Sequence, residues 1–177
     1  MKKHVAGALA LAVMVCTAFA AGAQSGEWKE YVYRADGFAV AAPRQPVMSK
    51  RTVDKAPGGP VEIHFYNIDT SNGTGLMAIA SDRHPNDRRA AQQVLSDAKT
   101  GGAAAAKATI DAERPISLDN NPGLEIEFSN DKYHGRTRVY LVGRKLYQVM
   151  SVAPASQPLP SEADRFYKSF RLVSRSN

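Results

Sequence analysis

Three consecutive segments in the C-terminal half, in which apolar and polar residues alternate, constrain the fold of this chain more than any other feature. They read LEIEFSN (124–130), YHGRTRVYLV (133–142) and KLYQVMSVA (145–153). A period of two is typical of strands that bury one face. Gly143 stands at the first of the two residues that join the last two segments, which favours a type II′ turn. The pattern predicts three neighbouring antiparallel strands.

Two glutamates on the first of these strands, Glu125 and Glu127, are separated by one residue and therefore share a face. Two carboxylates on one face could act as an acid and a base. A hairpin that turns at residues 131–132 instead places Glu127 opposite Arg136 and Glu125 opposite Arg138. Opposite charges across a strand pair stabilise a sheet, and such partners lower a carboxyl pKa. We therefore predict a structural ion ladder, with catalysis and a binding surface as the alternatives.

The same register extends the polar face to the third strand. It places Tyr140 opposite Tyr147, beside Arg138 and Glu125. Tyrosine and arginine are enriched at protein interfaces, so these four residues form a speculative binding surface. The alternative is that a helix or loop covers the face and the tyrosines are half-buried in the core.

The rest of the chain predicts further strands and two helices. Apolar residues at helical spacing follow Asn86, which is predicted to cap a helix, with Asp87 at its positive end. Gly101 and Gly102 predict a break in that helix or a second short turn before AAAAK. Residues 119–123 predict a loop, and Ser161 begins a capping box before a final helix. Six other segments predict strands: EWKEYVYR, FAVAAP, MSKRTVDK, VEIHFYNID, LMAIASDR and TIDAERPISL. The fold class is α+β, a central antiparallel sheet with helices packed on its faces.

The first residues are typical of a signal peptide. A basic start precedes an apolar run and the small-residue triplets AFA and AGA, which predicts a signal peptide over 1–23, with cleavage after Ala23 or Ala20. Residues 24–177 then form a single domain that is periplasmic or secreted and has no transmembrane span. An uncleaved anchor and lipid attachment at Cys16 are the alternatives. Cys16 is the only cysteine, so the processed chain rests on its own core.

The charge of the chain restricts its partners. The formal net charge is +6, and loss of Lys2 and Lys3 leaves +4 for the processed chain. The basic residues are scattered and no nucleic-acid-binding motif occurs, so nucleic acid is not an expected partner. We expect an envelope protein or a small ligand.

Catalytic and metal-binding motifs are not evident. Three histidines follow the predicted signal peptide: His64, His84 and His134. No two of them have the sequence spacing of metal ligands. There is no nucleophile elbow, and no cofactor or metal is expected. The prediction is a non-catalytic module. The alternative is an envelope hydrolase or metal-dependent enzyme, which would need these histidines and nearby carboxylates to meet in one cleft.

Four motifs, in this order, carry a resemblance to a known family. They are ADGFAVAAPRQP after a tyrosine, NPGLEIEF, RVYLVGRKLYQVM and ADRFYKSFRL. Together they resemble the small exported bacterial domains of the PsbP-like α/β/α sandwich. The resemblance implies a central antiparallel sheet with helices on both sides. It implies little chemistry, because such domains are mostly uncharacterised or serve as non-catalytic assembly and binding modules.

Overall fold

A computed structural model describes residues 27–70 and 73–174. The predicted signal peptide over 1–23 lies outside these residues. Ten strands and two helices follow in chain order: β1 (Lys29–Tyr33), β2 (Phe38–Ala42), β3 (Val47–Val53), β4 (Val61–Asp69), β5 (Gly75–Asp82), α1 (Ala91–Ala106), β6 (Thr109–Leu118), β7 (Asn121–Ser129), β8 (Tyr133–Val142), β9 (Lys145–Pro154), α2 (Ala163–Ser169) and β10 (Arg171–Leu172). Neither helix in the described ranges has the length and hydropathy needed to cross a bilayer.

The strands form two antiparallel sheets. The larger has seven strands in the order β3-β4-β5-β9-β8-β7-β6, so β3 and β6 are its edges. The smaller has three strands in the order β1-β2-β10, which places the last strand beside the second. The predicted strands are therefore present, and the α+β class is dominated by sheet.

One face of the seven-stranded sheet, the first face, carries Tyr66 of β4, Tyr140 of β8 and Tyr147 of β9. These rings lie in one buried cluster with Phe38 and Val40 of β2 and with Phe166 and Phe170 at α2. Tyrosine and phenylalanine each bury a large apolar area, so this aromatic layer is the main contact between the two sheets. The first face is thus covered by the small sheet together with α2.

The opposite, second face packs against α1. Val94, Leu95 and Ala98 of the helix lie in a buried cluster with Ile126 and Val139 of the sheet. Successive side chains of a strand point to opposite faces, so Val139 of β8 lies in this cluster whereas its neighbour Tyr140 lies in the aromatic cluster of the first face. Each strand at the centre of the sheet is buried on both sides.

The boundaries of α1 differ from the prediction in two ways. The helix begins at Ala91, after the extended residue Ala90, and no side chain caps it. Asp87 is buried, and its carboxylate accepts hydrogen bonds from Arg83 and Arg89 instead. The helix also runs without a break through Gly101 and Gly102, both of which are buried. Packing on a sheet offsets the roughly 1 kcal/mol that a glycine costs in an isolated helix.

Two connections also differ from the prediction. The loop expected over 119–123 is a two-residue turn, because β7 begins at Asn121 and only Asp119 and Asn120 turn, with φ of 49° and 63°. Positive φ at both central residues is typical of a type I′ hairpin, which tolerates Asp and Asn. The predicted capping box is absent from the described α2, since Ser161 Oγ donates to the carboxylate of Glu162 instead.

Candidate functional site

The predicted register of the central strands is confirmed. Glu125 pairs with Arg138 and Glu127 with Arg136 between β7 and β8. Tyr140 pairs with Tyr147 between β8 and β9. At the turn between those strands Gly143 has φ of 56°, as a type II′ turn requires of its first central residue.

Glu125 forms ion pairs with two arginines on this face. Arg138 Nε donates to it at 2.6 Å, and Arg114 Nε of the neighbouring strand β6 donates to its other oxygen at 2.8 Å. The glutamate is 4% exposed. Burial raises its pKa, but the hydrogen bonds from Arg138 and Arg114 outweigh that effect and the pKa lies below the ordinary value. A carboxylate held as an anion between two guanidinium groups is suited to structure and not to proton transfer.

Sequence reasoning missed Arg114, although a signal was present. The residue lies on β6, directly opposite Glu125. The pairing follows only from the two-residue hairpin between β6 and β7, whereas the longer loop predicted over 119–123 leaves the register of β6 undefined. Glu127, by contrast, is exposed and lies 3.3 Å from Arg136, a contact that contributes little.

The four residues proposed as a binding surface do share a face, but that face is covered. Tyr140 is 6% exposed and Tyr147 is 3% exposed, and both rings lie against Phe170. The guanidinium of Arg138 lies 4.8 Å from the ring centroid of Tyr167 in α2. The arrangement is that of the alternative in which a helix or loop covers the face, because the small sheet and α2 fold over it. A role of these residues in binding stays a prediction.

Replacing Glu125 with glutamine is expected to lower the free energy of unfolding by about 2 kcal/mol at neutral pH. Loss of one partner of a buried pair costs about 3–5 kcal/mol, and the 65% exposure of the Arg114 side chain reduces that figure. Because the folded pKa is lowered, the wild-type contribution is present above about pH 4.3 and is lost as the pH falls through the folded pKa. Urea unfolding at pH 7, 5 and 3 should therefore give a difference that shrinks with acid.

Glu127→Gln is the matched control, since its carboxylate is exposed, and it should leave the unfolding midpoint unchanged. A Glu125→Gln difference of the same size at pH 3 and pH 7 would contradict the ionic account.

Gly123 makes room for Tyr140, its cross-strand partner. A Cβ at this position would lie 2.6 Å from Cδ1 of Tyr140 and 2.5 Å from the carbonyl oxygen of Val139. We expect Gly123→Ala to lower the free energy of unfolding by about 1–3 kcal/mol, as for other overpacked sites. Gly75→Ala is the control, since its added carbon would meet its nearest neighbour at 3.6 Å. Equal urea midpoints for the two variants would show that the sheet absorbs the extra carbon.

A second ionic cluster, which sequence reasoning did not identify, joins the two sheets. Asp36, in the turn between β1 and β2, is buried and accepts hydrogen bonds from the hydroxyl of Tyr66, from His64 Nδ1 at 2.6 Å and from Lys145 Nζ at 3.1 Å. Burial raises the pKa of this carboxyl, but its three donors outweigh that effect and the net shift is downward. Tyr147 donates to the Asp36 carbonyl at 2.7 Å. We name Asp36, His64, Tyr66 and Lys145 the Asp36 cluster.

The Asp36 cluster borders a shallow depression of about 270 Å³. Its polar wall is formed by Asp82, Arg144 and Lys145, and its apolar wall by Val142, Leu172 and Val173. The basic groups of this wall are already engaged. Lys145 Nζ donates to Asp36 and also contacts Asp82 at 3.0 Å, and Arg144 donates to the backbone carbonyl of Arg83 at 2.7 Å. The depression therefore offers a ligand few uncommitted donors.

The structure does not bring the three histidines together. His64 Nε2 contacts Glu62 at 2.6 Å, so its ring lies between two carboxylates. His84 Nδ1 accepts from the backbone of Asn86, and His134 Nε2 contacts the carbonyl of Gln157 at the other end of the sheet. Within residues 27–70 and 73–174, no group of three or more His, Cys, Asp or Glu side chains has metal-binding geometry.

A seven-stranded antiparallel sheet together with a small sheet and two helices defines a class, the sheet-dominated α+β domains. Within that class the fold is PsbP-like. The chain is similar to cyanobacterial PsbP (CyanoP) from Synechocystis sp. PCC 6803, with a TM-score of 0.52, 16% identity, and 88% of this chain and 98% of that chain covered. A likeness at this identity concerns the fold alone, and at that level the predicted resemblance is confirmed.

A second solved structure, a protein of unknown function from Pseudomonas aeruginosa, is matched with a TM-score of 0.42 and 6% identity, over 74% of this chain and 85% of that chain. No protein-family model and no curated protein matches the chain.

Proposed function

We propose that the protein is a non-catalytic binding or assembly module of the cell envelope, exported to the periplasm or secreted. The leader-like residues 1–23 and the PsbP-like fold support this proposal. The partner is an envelope protein in preference to a small ligand, because the basic groups that line the depression are occupied by internal contacts.

One observation carries the proposal. Three side chains capable of acid–base chemistry are engaged in contacts that hold the domain together. Glu125 lies between two arginines, Asp36 accepts from three donors, and His64 lies between two carboxylates. Catalytic carboxylates instead need environments that push their pKa values apart, whereas Glu125 and Asp36 are both shifted downward.

We also infer that α1 and α2 complete an α/β/α sandwich around the central sheet. The burial of Val94 and Leu95 of α1 against Val139, and of Phe166 of α2 against Tyr140, supports this arrangement. Hydrogen exchange should then protect the amides of β8 and β9 most strongly, since both of their faces are covered.

The test is affinity capture with the processed chain, residues 24–177, from the envelope fraction of the source cells. We expect one or a few envelope proteins to be retained and to be displaced by an excess of untagged chain. Fractionation of cells that produce the full chain should place it outside the cytoplasm. Retention in the cytoplasm would contradict the export part of the proposal. Steady turnover of ester, phosphate or glycoside substrates, abolished by Asp36→Ala or Glu125→Gln, would contradict the non-catalytic part.

A further inference from the structure

The edge strand β3 has an extended and uninterrupted geometry. It pairs with β4 at seven consecutive positions without a register shift, and in the described part of the chain it has no strand on its other side. Seven residues of strand present an edge of about 23 Å. An edge of this kind can pair with an added strand through its backbone N–H and C=O groups.

The opposite edge of the same sheet is protected. Strand β6 has a register shift between Ile110 and Ala112, and Pro115, which has no N–H, lies within it. Bulges and prolines are the usual devices that keep edge strands from pairing. Strand β3 has neither, so the two edges of one sheet differ in their capacity to accept a partner.

The side chains of β3 specify what it could accept. Val47 is 69% exposed and Met48 is 53% exposed, and they are two of the few large apolar side chains that the domain leaves in solvent. Lys50 and Arg51 follow, one on each face of the strand. Lys50 forms an exposed bridge with Glu62, while Arg51 has no ion pair among the described residues. An apolar pair followed by a basic pair favours a strand with the complementary order.

We propose that β3 binds an extended acidic segment of an envelope partner by antiparallel strand addition. This inference rests on the proposed function and identifies the surface through which the protein binds its partner. An antiparallel partner meets Arg51 first and Val47 last, so its segment has two acidic residues, one spacer and two apolar residues, in that order. Opposite charges and apolar pairs directly across strands each stabilise such an addition. Antiparallel pairing also matches the rest of the sheet.

A second copy of the chain is a poorer occupant. Centred antiparallel pairing of two β3 strands places Lys50 opposite Lys50 of the other copy, and like charges directly opposite are destabilising. Pairing of β3 with β6 of another copy meets the bulge and Pro115. The basic pair therefore disfavours self-association and favours an acidic strand.

The probe is a blocked, fluorescently labelled peptide that contains Glu-Glu-Ser-Val-Val flanked by threonines, titrated into residues 24–177 at low salt. We expect saturable binding that weakens with added salt, and amide chemical-shift changes centred on Val47–Val53. Lys-Lys-Ser-Val-Val should bind at least about tenfold more weakly, because both cross-strand charge pairs become repulsive. Equal binding of the reversed order, Val-Val-Ser-Glu-Glu, would overturn the antiparallel register.

Charge reversal on the strand provides the second arm. Lys50→Glu with Arg51→Glu should weaken the acidic peptide by about tenfold or more and should strengthen the basic one. Arg51→Glu alone leaves the bridge between Lys50 and Glu62 in place and should give an intermediate loss. Lys107→Glu with Lys132→Glu is the matched control, because both side chains are exposed, Lys107 directly follows α1 and Lys132 lies in the turn between β7 and β8, and the change in net charge is the same. Equal losses in the two double variants would overturn the site.

The two proposals fail separately. Peptide binding that is absent, or that maps away from β3, while envelope capture still retains a partner, overturns the β3 site alone. Capture that fails while the peptide binds at β3 contradicts the proposed function and leaves the edge-strand site standing. A chain that is dimeric by light scattering, and becomes monomeric in the double variant Lys50→Glu, Arg51→Glu, would assign β3 to self-association and overturn the acidic partner.

Discussion

Replacing Asp36 with alanine is expected to lower the free energy of unfolding by about 3–5 kcal/mol, because it removes one partner of a buried charge pair. Lys145 would keep only its contact with Asp82, and the buried hydroxyl of Tyr66 would lose its acceptor. His64 would retain a single carboxylate, that of Glu62. Urea unfolding at pH 7, followed by far-UV circular dichroism, measures the difference.

Three further variants separate the ionic effect from a general loss of packing. Asp36→Asn keeps an acceptor for Tyr66 and should lose less than alanine. The double variant Asp36→Leu, Lys145→Met should recover part of the loss, because replacing both members of a buried pair with apolar residues is often neutral. Asp54→Ala, in an exposed turn, should leave stability unchanged. A loss below 1 kcal/mol for Asp36→Ala would show that the cluster contributes little.

Replacing Phe38 with alanine is expected to lower the free energy of unfolding by about 3–5 kcal/mol, the usual range for a buried phenylalanine. The side chain is fully buried, and its ring centroid lies 5.1 Å from those of Tyr33 and Tyr66 and 5.4 Å from that of Phe170. It is the largest fully buried side chain of the small sheet. Its loss should loosen the small sheet before the large one.

Trp28, the only tryptophan, reports on that separation. Its ring lies next to β1, with the guanidinium of Arg165 4.5 Å from the ring centroid. In Phe38→Ala we expect the tryptophan fluorescence transition to occur at lower urea than the circular dichroism transition. Val47→Ala, at an exposed strand position, is the control and should keep the two transitions together. Coincident transitions in Phe38→Ala would show that the two sheets unfold as one unit.

The centre of the large sheet could be predicted because its determinants are local. Alternation fixes which residues of β7, β8 and β9 share a face, and short connections then fix the register. Glu125 pairs with Arg138 and Tyr140 with Tyr147 for that reason. A shift of one residue would have exchanged the two faces of a strand, so a correct register is a strict test of the pattern.

The predictions for α1 and for residues 119–123 were wrong for different reasons. In α1 tertiary contacts override the local preferences of the residues, whereas at 119–123 the local residues themselves favour a tight turn. Asn and Asp are favoured at helix N-termini, but here the Asp87 carboxylate forms ion pairs with the guanidinium groups of Arg83 and Arg89. Gly101 and Gly102 weaken an isolated helix, but tertiary packing supports this one. Asp119 and Asn120 are residues that tolerate a tight hairpin. With a two-residue turn, the register places Arg114 opposite Glu125, whereas a longer loop does not predict that pair.

The cover of the first face and the Asp36 cluster could not be read from local pattern, since both depend on distant contacts. Asp36 is 28 residues from His64 and 109 from Lys145. In the sequence it is a turn residue, and nothing nearby indicates burial. A weaker signal was available, because His64 and Tyr66 share a face of β4, as Lys145 and Tyr147 share a face of β9. Polar side chains repeated on a face that also carries aromatic rings imply a buried polar partner.

The pairing of β2 with both β1 and β10 has a consequence for how the chain folds as it is made. The Ala41 N–H of β2 donates to Ser169 Oγ, 128 residues later in the chain. Closing so large a loop carries a high entropic cost, which slows folding. During synthesis, Phe38 is made long before Phe166 and Phe170, so the aromatic layer lacks these partners until α2 and β10 have been made. A nascent chain of this protein therefore cannot complete the aromatic layer before α2 and β10 have been made, and until then that layer is open to a chaperone.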